Sequence, residues 1–309
     1  MALENKPKKS IIVTGASSGI GEATVIKLVE SGYQVFGLAR RYDKLFRVFS
    51  LLDSLSSTSK EELYIPIEFD ITKSETFEKT INDIILKAQD NTIYGLVNNA
   101  GYVEPGAVED ITMNDLRNQF ETNFFGLVGF TKKILPIMMQ QGNGGAGKIG
   151  GGSAAQGRIV NISSLAGLIS LPLIGSYSAA KHALEAISDS LRMELWNTNI
   201  KIITINPGMI ETGIYDILKA KMDAMIRNNN DRKKKSRFIP AYNKYFSKRN
   251  YAGLKPSVVA DIIYNAISSP NPKQRYIIGS TREKLAIRIR PIIPDRLFYS
   301  LVAKQIHRI

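Results

Sequence analysis

The chain has 309 residues, 44% of them hydrophobic, and a formal net charge of +13. This length and apolar content suffice for one large core with appended segments. The absence of cysteine excludes disulfides, thiolate nucleophiles and cysteine-ligated metals, and the chain has only two histidines. Composition leaves only a carboxylate metal site open, and we expect no bound metal. The first ten residues are polar and no run of 18 apolar residues occurs, which predicts neither a signal peptide nor a spanning helix and favours a cytoplasmic location.

Short apolar runs alternate with helix-length amphipathic segments along the chain. The runs predict strands at 11–14, 33–38, 63–69, 93–97, 158–162, 201–205 and 275–278. The amphipathic segments predict helices that include 22–31, 74–89 and 179–196. This alternation predicts an α/β fold with a doubly wound parallel sheet. Such sheets bind ligands beyond the carboxyl ends of their strands, where this chain has polar or glycine-rich turns.

The turn after the first predicted strand reads Thr14-Gly15-Ala16-Ser17-Ser18-Gly19-Ile20-Gly21 and opens the first predicted helix. Glycine permits a tight turn and a close approach of the backbone to a pyrophosphate. An ordinary βα turn is the alternative. The order of strand, turn and helix favours a dinucleotide-binding turn instead.

Two arginines, Arg40 and Arg41, follow the second predicted strand. An acidic residue there would bind the adenosine ribose and repel a 2′-phosphate, whereas a guanidinium donates charge-assisted hydrogen bonds to phosphate. The arginines therefore favour NADP(H) over NAD(H), unless they are only solvated loop charges. Asp70 follows the third predicted strand, at a position where its side chain could be the N-cap of the next helix.

Tyr177 and Lys181 are four residues apart and share one face of a predicted helix. A free tyrosine has a pKa of about 10, and a nearby ammonium lowers it. The pair therefore predicts a general acid/base, although a buried helix tyrosine beside a lysine would have the same spacing. Ser164 is the preferred serine partner, because its neighbour Ser163 would point to the opposite side of the strand end.

These motifs resemble those of the short-chain dehydrogenase/reductase family. The resemblance rests on the glycine turn, on Asn98-Asn99-Ala100-Gly101, on Asn123, on Ser164 with Tyr177 and Lys181, and on Asn206-Pro207-Gly208 with Thr212. It covers residues 10 to about 215 and is loose beyond them. It implies a Rossmann-type fold, a single domain with an extended C-terminal region, and an oxidoreductase that interconverts a carbonyl and an alcohol.

The resemblance also implies a role for each site residue. Tyr177 exchanges the proton, Ser164 binds the carbonyl oxygen, Lys181 binds the nicotinamide ribose and lowers the pKa of Tyr177, and Asn123 holds a water. In the Asp70 position the family carries a residue that caps the adenine. The expected cofactor contacts are Thr14, Gly15, Ser17, Ser18, Gly19, Ile20, Gly21, Arg40, Arg41, Asp70, Ile71, Asn98, Ala100, Gly101, Tyr177, Lys181, Pro207, Gly208, Ile210 and Thr212.

The positive charge is concentrated in the C-terminal third. Residues 219–249 carry 11 basic and 2 acidic residues, and residues 273–309 carry 9 and 2. Apolar residues after Thr212 predict either a cover over a hydrophobic substrate pocket or ordinary helix packing. We expect an NAD(P)-binding domain over 1–280, including a substrate-covering segment at 213–250, and a basic amphipathic extension at 281–309. This extension fits a peripheral contact with anionic membrane, a pocket cover or a subunit contact.

Other functions and partners stay open at this point. A reductase of 3-oxoacyl thioesters would suit a basic surface, because such substrates are carried on an acidic protein. A cofactor sensor without catalysis would not need Asn123, Ser164, Tyr177 and Lys181 together. We expect a homodimer or homotetramer, and no nucleic-acid partner, because the basic residues accompany no recognisable binding module. The glycine-rich segment 142–157 is interpreted as a flexible spacer.

Overall fold

A parallel sheet forms the centre of the computed structural model, which describes residues 9–52, 61–89, 92–141, 157–213, 220–221, 223 and 253–307. Its strands are β1 (Ser10–Thr14), β2 (Gln34–Ala39), β3 (Tyr64–Glu68), β4 (Gly95–Asn98), β5 (Gly157–Ile162), β6 (Ile200–Pro207) and β7 (Arg275–Ile278). The seven strands lie in the order β3-β2-β1-β4-β5-β6-β7. Successive strands are added on one side of β1 up to β3 and on its other side from β4 onwards. Doubly wound sheets form their ligand crevice at such a switch point, here between β1 and β4. The predicted Rossmann-type fold is confirmed.

Helices cover both faces of this sheet. They are α1 (Gly19–Glu30), α2 (Tyr42–Leu51), α3 (Phe77–Lys87), α4 (Met113–Phe120), α5 (Gly126–Gln141), α6 (Gly175–Glu194), α7 (Pro256–Ser268), α8 (Thr281–Ile289) and α9 (Asp295–His307). A 3₁₀ turn at Ser74–Thr76 precedes α3, and a π-helical turn at Glu121–Phe125 joins α4 to α5. The glycine-rich spacer lies outside the described residues except for Gly157, which begins β5.

Two apolar clusters hold the helices against the sheet. Successive strand residues point to opposite faces, so Ile11 of β1 packs in one cluster and Ile12 in the other. The first cluster includes Leu28 of α1 and Ile263 of α7, and the second includes Leu184 of α6. Full burial of each such side chain contributes about 1.5–3 kcal/mol, which fixes the helices in place.

Helix α6 is also held to the sheet by buried polar side chains. Asn98 Nδ2 donates to Thr131 Oγ1 and to Asn161 Oδ1, each over 2.8 Å. Asn161 Nδ2 in turn donates to Ser188 Oγ over 2.8 Å. Because these bonds join β4 and β5 to α5 and α6, they set the position of α6, and with it Tyr177, relative to the strand ends.

The last two helices are less buried than the others, since α8 has no buried residue and α9 has none over 295–304. Exposed side chains on these two helices include large apolar ones such as Leu285 and Leu297. In the described part of the chain, no helix has both the length and the apolar content to span a bilayer.

Candidate active site

The turns after β1 and β4 are bonded to each other through Asn99 and Thr14. Thr14 Oγ1 accepts hydrogen bonds from the backbone N–H of Asn99 at 3.0 Å and of Ala100 at 3.1 Å. Asn99 Nδ2 donates to the carbonyl oxygens of Thr14 at 3.0 Å and Gly15 at 3.2 Å. These four bonds fix the shape of the glycine turn. No role was predicted for Asn99, and its place in the Asn-Asn-Ala-Gly motif was the signal available.

The glycines of this turn permit contacts that no side chain would allow. Gly15 has a φ of +67°, and a Cβ on it would lie 2.8 Å from Ala100 Cα. A Cβ on Gly21 would lie 2.2 Å from the carbonyl oxygen of Gly15, so α1 packs directly on the turn. At Gly19 a Cβ would lie 2.9 Å from Thr212 Cγ2. Gly19, in the glycine turn, therefore lies directly beside Thr212, the last of the expected cofactor contacts along the chain.

The start of α1 fits the diphosphate of a nicotinamide dinucleotide. Its N-cap, Ser18, is exposed, and the Ser18 side chain makes no capping hydrogen bond. The first backbone N–H groups of a helix have no partner within the helix, and the helix dipole favours an anion there. Ser17 is buried and Ile20 packs on the core, so these two residues would meet a cofactor through their backbone.

At the end of β2, Arg40 and Arg41 are exposed, and neither guanidinium forms an ion pair within the described part of the chain. After β3, Asp70 Oδ1 accepts from the backbone N–H of Thr72 at 3.0 Å and from its hydroxyl at 2.8 Å. The residue that precedes the following 3₁₀ turn is Lys73. Asp70 therefore stabilises a turn and is not the N-cap of the helix.

Ile71, Asn98 and Ile210, at or after the ends of three different strands, are expected cofactor contacts with buried side chains. These residues are 6%, 1% and 4% exposed. The Asn98 amide bonds inside the sheet, as described above, and Ile210 belongs to the core. Only the backbone of these residues is left to face a cofactor. The backbone N–H of Gly208 is itself used, because it donates to the carbonyl oxygen of Ile278 over 2.7 Å.

Tyr177 and Lys181 lie together in the first turns of α6. This helix begins at Gly175, four residues before the predicted start at 179, so both residues are helical. Lys181 is 4% exposed, its Nζ lies 5.8 Å from the centroid of the Tyr177 ring, and it donates to the carbonyl oxygen of Ile162 over 2.7 Å. Burial lowers the pKa of Lys181 to about 8, although the negative charge of Glu185 opposes this shift.

The pKa of Tyr177 is shifted in the direction opposite to the prediction. Burial raises the pKa of this phenol, and a hydrogen bond with Ser164 lowers it by less. The Lys181 ammonium was predicted to lower the pKa of Tyr177, but the protein's own groups together raise it. Ser164 Oγ also accepts from the backbone N–H of Ala166 at 3.1 Å. The rival Ser163 is 3% exposed, and its hydroxyl has no partner among the described residues.

Asn123 lies in the π-helical turn and is fully buried. Its Nδ2 donates to the carbonyl oxygen of Tyr102 at 2.9 Å, and its Oδ1 accepts from the backbone N–H of Tyr102 at 3.1 Å. A Cβ on Gly101 would lie 3.3 Å from the same Oδ1. The Asn123 side chain thus anchors the backbone that follows β4, beside the glycine turn.

The sequence matches the family model for short chain dehydrogenase over residues 9–223. It is 31% identical over 301 residues to an NADPH-dependent 3-dehydrocapnine reductase from Ornithobacterium rhinotracheale, covering 96% of this chain and 97% of the relative. It is 28% identical over 298 residues to a 3-ketodihydrosphingosine reductase from Bacteroides thetaiotaomicron, covering 94% and 98%. Among solved structures, a short-chain dehydrogenase from Streptomyces avermitilis is 26% identical with a TM-score of 0.71, covering 97% of this chain and 98% of that one.

The role of Asn99 is tested by Asn99→Ala. Loss of its two side-chain hydrogen bonds loosens the glycine turn. Each such bond contributes about 0.5–1.5 kcal/mol to holding the turn in its binding shape, so we expect dinucleotide affinity to fall about tenfold. Thr198→Val is the control, because Thr198 also makes two side-chain hydrogen bonds, to Leu195 and Ile200, at the opposite edge of the sheet. Dinucleotide titration by fluorescence compares the two. Equal affinity in both variants would show that Asn99 only supports the fold.

Proposed function

The chain belongs to the short-chain dehydrogenase family and is an oxidoreductase, and from this premise we propose that it reduces a lipophilic ketone with NADPH. One observation carries the proposal: Ser164, Tyr177 and Lys181 meet at the sheet edge that also bears the glycine turn. A non-catalytic sensor could use Lys181 to bind the cofactor, but it would not need Ser164 and Tyr177 beside this buried charge.

The chemistry follows from the positions of these side chains. When bound, the reduced nicotinamide supplies a hydride to the carbonyl carbon. Tyr177 donates its phenolic proton to the carbonyl oxygen, and Ser164 donates a hydrogen bond to the same oxygen as negative charge develops on it. Because its pKa is raised, Tyr177 is protonated at neutral pH, which suits a proton donor in reduction. Solvent returns the proton to Tyr177 after the alcohol leaves.

Replacing Tyr177 with phenylalanine removes the proton donor and keeps the ring. We expect Tyr177→Phe to lower the rate of ketone reduction by at least about 100-fold, while NADPH affinity stays within about threefold. Tyr276→Phe is the matched control, because the Tyr276 hydroxyl lies away from the site and accepts from the backbone N–H of Lys273 over 3.0 Å. Absorbance at the reduced nicotinamide band measures the rate. A Tyr177→Phe rate above a tenth of wild type would exclude this acid/base role.

The preference for NADPH over NADH rests on Arg40 and Arg41. Both guanidinium groups are exposed and free of ion pairs in the described part of the chain, so they are available to a 2′-phosphate. The relative from Ornithobacterium rhinotracheale is named as NADPH-dependent, which supports the same choice. NAD(H) is the weaker cofactor in this proposal.

The cofactor preference is tested by Arg40→Asp. We expect NADPH affinity to fall by about 10- to 100-fold, or about 1.5–3 kcal/mol, because a charged hydrogen bond is lost and a repulsion is gained. NADH affinity should not fall. Lys87→Asp makes the same charge change at the opposite edge of the sheet and should leave both affinities unchanged. The proposal is wrong if wild type binds NADH as tightly as NADPH.

The proposed substrate is a lipophilic compound with an oxo group at position 3. Both relatives are named for reducing such a position, as 3-dehydro and 3-keto compounds. The proposed covering segment 213–250 lies mostly outside the described residues, but its Lys221 pairs with Glu104 and lies 5.2 Å from the Tyr102 ring centroid. The Glu104 carbonyl oxygen accepts from Ser176, next to Tyr177. This part of the segment is therefore attached beside the catalytic tyrosine.

A substrate screen tests this choice directly. Purified protein is assayed with NADPH against long-chain 3-oxo amines, steroid and retinoid carbonyls, and 3-oxoacyl thioesters. The highest kcat/KM is expected for a lipophilic free ketone. A higher value for the thioesters would favour the alternative of a carrier-bound substrate, which the basic surface would also suit.

We further propose a contact with anionic membrane through α8 and α9. Large apolar side chains are exposed on these helices and the turn between them: Leu285, Ile289, Ile292, Leu297, Tyr299 and Leu301. Basic side chains free of ion pairs in the described residues lie among them: Arg282, Lys284, Arg288, Arg296 and Lys304. Helix α8 also begins near the catalytic edge, because a Cβ on Gly208 would lie 2.7 Å from Glu283 Oε1. Basic residues and apolar side chains together are what an anionic bilayer surface attracts.

Cosedimentation with vesicles tests this contact. We expect the full chain to bind phosphatidylglycerol vesicles at low salt and to bind them less at high salt, because salt screens surface charge. Neutral vesicles should not bind the chain. Leu285→Asp/Ile292→Asp should abolish binding, whereas Leu86→Asp, at another highly exposed leucine, should not. Absence of binding to anionic vesicles at low salt would remove the membrane proposal.

Other predictions remain proposals as well. A boundary near residue 280 would separate the sheet from the extension, since β7 ends at Ile278 and α8 begins at Thr281. The homodimer or homotetramer and the cytoplasmic location also stay predictions.

A further inference from the structure

A buried carboxylate, Glu185, lies one helical turn beyond Lys181 on α6. Tyr177, Lys181 and Glu185 follow one another at intervals of four residues, so they lie along one side of the helix. Glu185 is 6% exposed, close to the value for Lys181. A buried charge is tolerated only when it is paired and hydrogen-bonded, so its partners show what it does.

Each oxygen of this carboxylate is bonded to a different strand. Oε1 accepts from Asn206 Nδ2, at the end of β6, over 2.6 Å. Oε2 accepts from Arg275 Nη2, at the start of β7, over 2.8 Å. Asn206 Nδ2 also donates to the backbone carbonyl oxygen of Ser164 over 3.1 Å. Glu185 therefore connects the helix of Tyr177 and Lys181 to the backbone of Ser164.

The charged groups around Lys181 are arranged in a short series. Glu185 is the carboxylate whose charge acts on the ammonium of Lys181. Arg275, from β7, bridges Glu185 and Asp189, with its Nη2 at 3.3 Å from both Asp189 oxygens. Asp189 pairs in turn with Arg192. The guanidinium of Arg275 thus competes with Lys181 for Glu185, while Asp189 lies two turns from Lys181 on α6.

We propose, on the basis of the proposed function, that Glu185 is a positioning residue that keeps Lys181 in its ammonium form beside Tyr177 and fixes Ser164 through Asn206. One carboxylate then controls both partners of the tyrosine. Its own oxygens touch neither substrate nor cofactor in this role. It acts only through Lys181 and Asn206.

If the charge of Glu185 acts on Lys181, then Glu185→Gln and Arg275→Gln should shift the pKa of Lys181 in opposite directions. Because burial lowers the pKa of Lys181 to about 8, the ammonium is lost as the pH rises through this value, and activity that needs it is lost with it. In Glu185→Gln the attracting charge is gone, so the pKa of Lys181 should fall by about one unit or more. In Arg275→Gln the competing cation is gone, so the pKa of Lys181 should rise. A merely structural role for Glu185 predicts no such opposition.

The test titrates Lys181 directly in the full chain. NMR of protein labelled with ¹³C at lysine Cε follows each lysine with pH, and the Lys181 signal is assigned by its absence from Lys181→Arg. The basic limb of kcat/KM for ketone reduction is measured in parallel and should move with the NMR titration. Asp189→Asn is the control, because it removes the other carboxylate bound to Arg275 and should move the titration less than Glu185→Gln.

The outcomes separate this inference from the proposed function. An unchanged Lys181 titration in Glu185→Gln, or shifts of the same sign in Glu185→Gln and Arg275→Gln, would overturn the inference. If Glu185→Gln does not fold, the double variant Glu185→Gln/Arg275→Gln removes both charges of this ion pair, and its Lys181 pKa should still lie below that of wild type. Since the NMR titration needs no turnover, shifts in a chain that reduces no ketone would refute the proposed function and leave the charge coupling intact.

Discussion

Parallel pairing of β1, β4 and β5 is the constraint on which the site depends. Parallel strands end at the same edge of a sheet, so Thr14, Asn99 and Ser164, which are far apart in the sequence, reach one crevice. The hydrogen bonds of Asn99 then fix the glycine turn to the end of β4. Without this register, neither the start of α1 nor Tyr177 would lie near the end of β5.

Helix α6 adds the chemistry to this edge, and it does so at an electrostatic cost. Its inner side carries a partly buried tyrosine, a buried lysine and a buried glutamate, and burying charged or polar groups costs free energy. The pKa of Lys181 is lowered and that of Tyr177 is raised for this reason. The bonds of Glu185 to Arg275 and Asn206 offset part of the cost. The polar contacts of Asn161 with Ser188 prevent the helix from shifting away.

The C-terminal helices present the opposite situation. In α8 and α9, basic and apolar side chains are both exposed, and few of the charges are paired within the described residues. Ser280 caps α8 by accepting from the backbone N–H of Glu283, and the Glu283 carboxylate accepts in return from the Ser280 backbone N–H and lies close to Gly208. The chain thus joins a well-packed catalytic edge to a surface whose charge and apolar area remain open to a partner.

The sequence by itself determined the fold and the site at the level of motifs. Apolar periodicity located each strand of the sheet to within a few residues, because burial on both faces requires continuous apolar runs. The spacing of Tyr177 and Lys181 and the glycine turn indicated the family, which the comparison with known proteins confirmed. Motif spacing suffices for this, since it reflects local geometry that each segment carries within itself.

Only the tertiary structure decided how these residues act. The pKa of Tyr177 depends on the balance between burial and neighbouring groups, and spacing along a helix says nothing about burial. Asn98 and Asn99 are adjacent in the sequence, yet one bonds inside the sheet and the other holds the glycine turn. The partners of Glu185 lie 21 and 90 residues away along the chain. Such contacts form only after the strands and helices pack, so no local pattern of residues contains them.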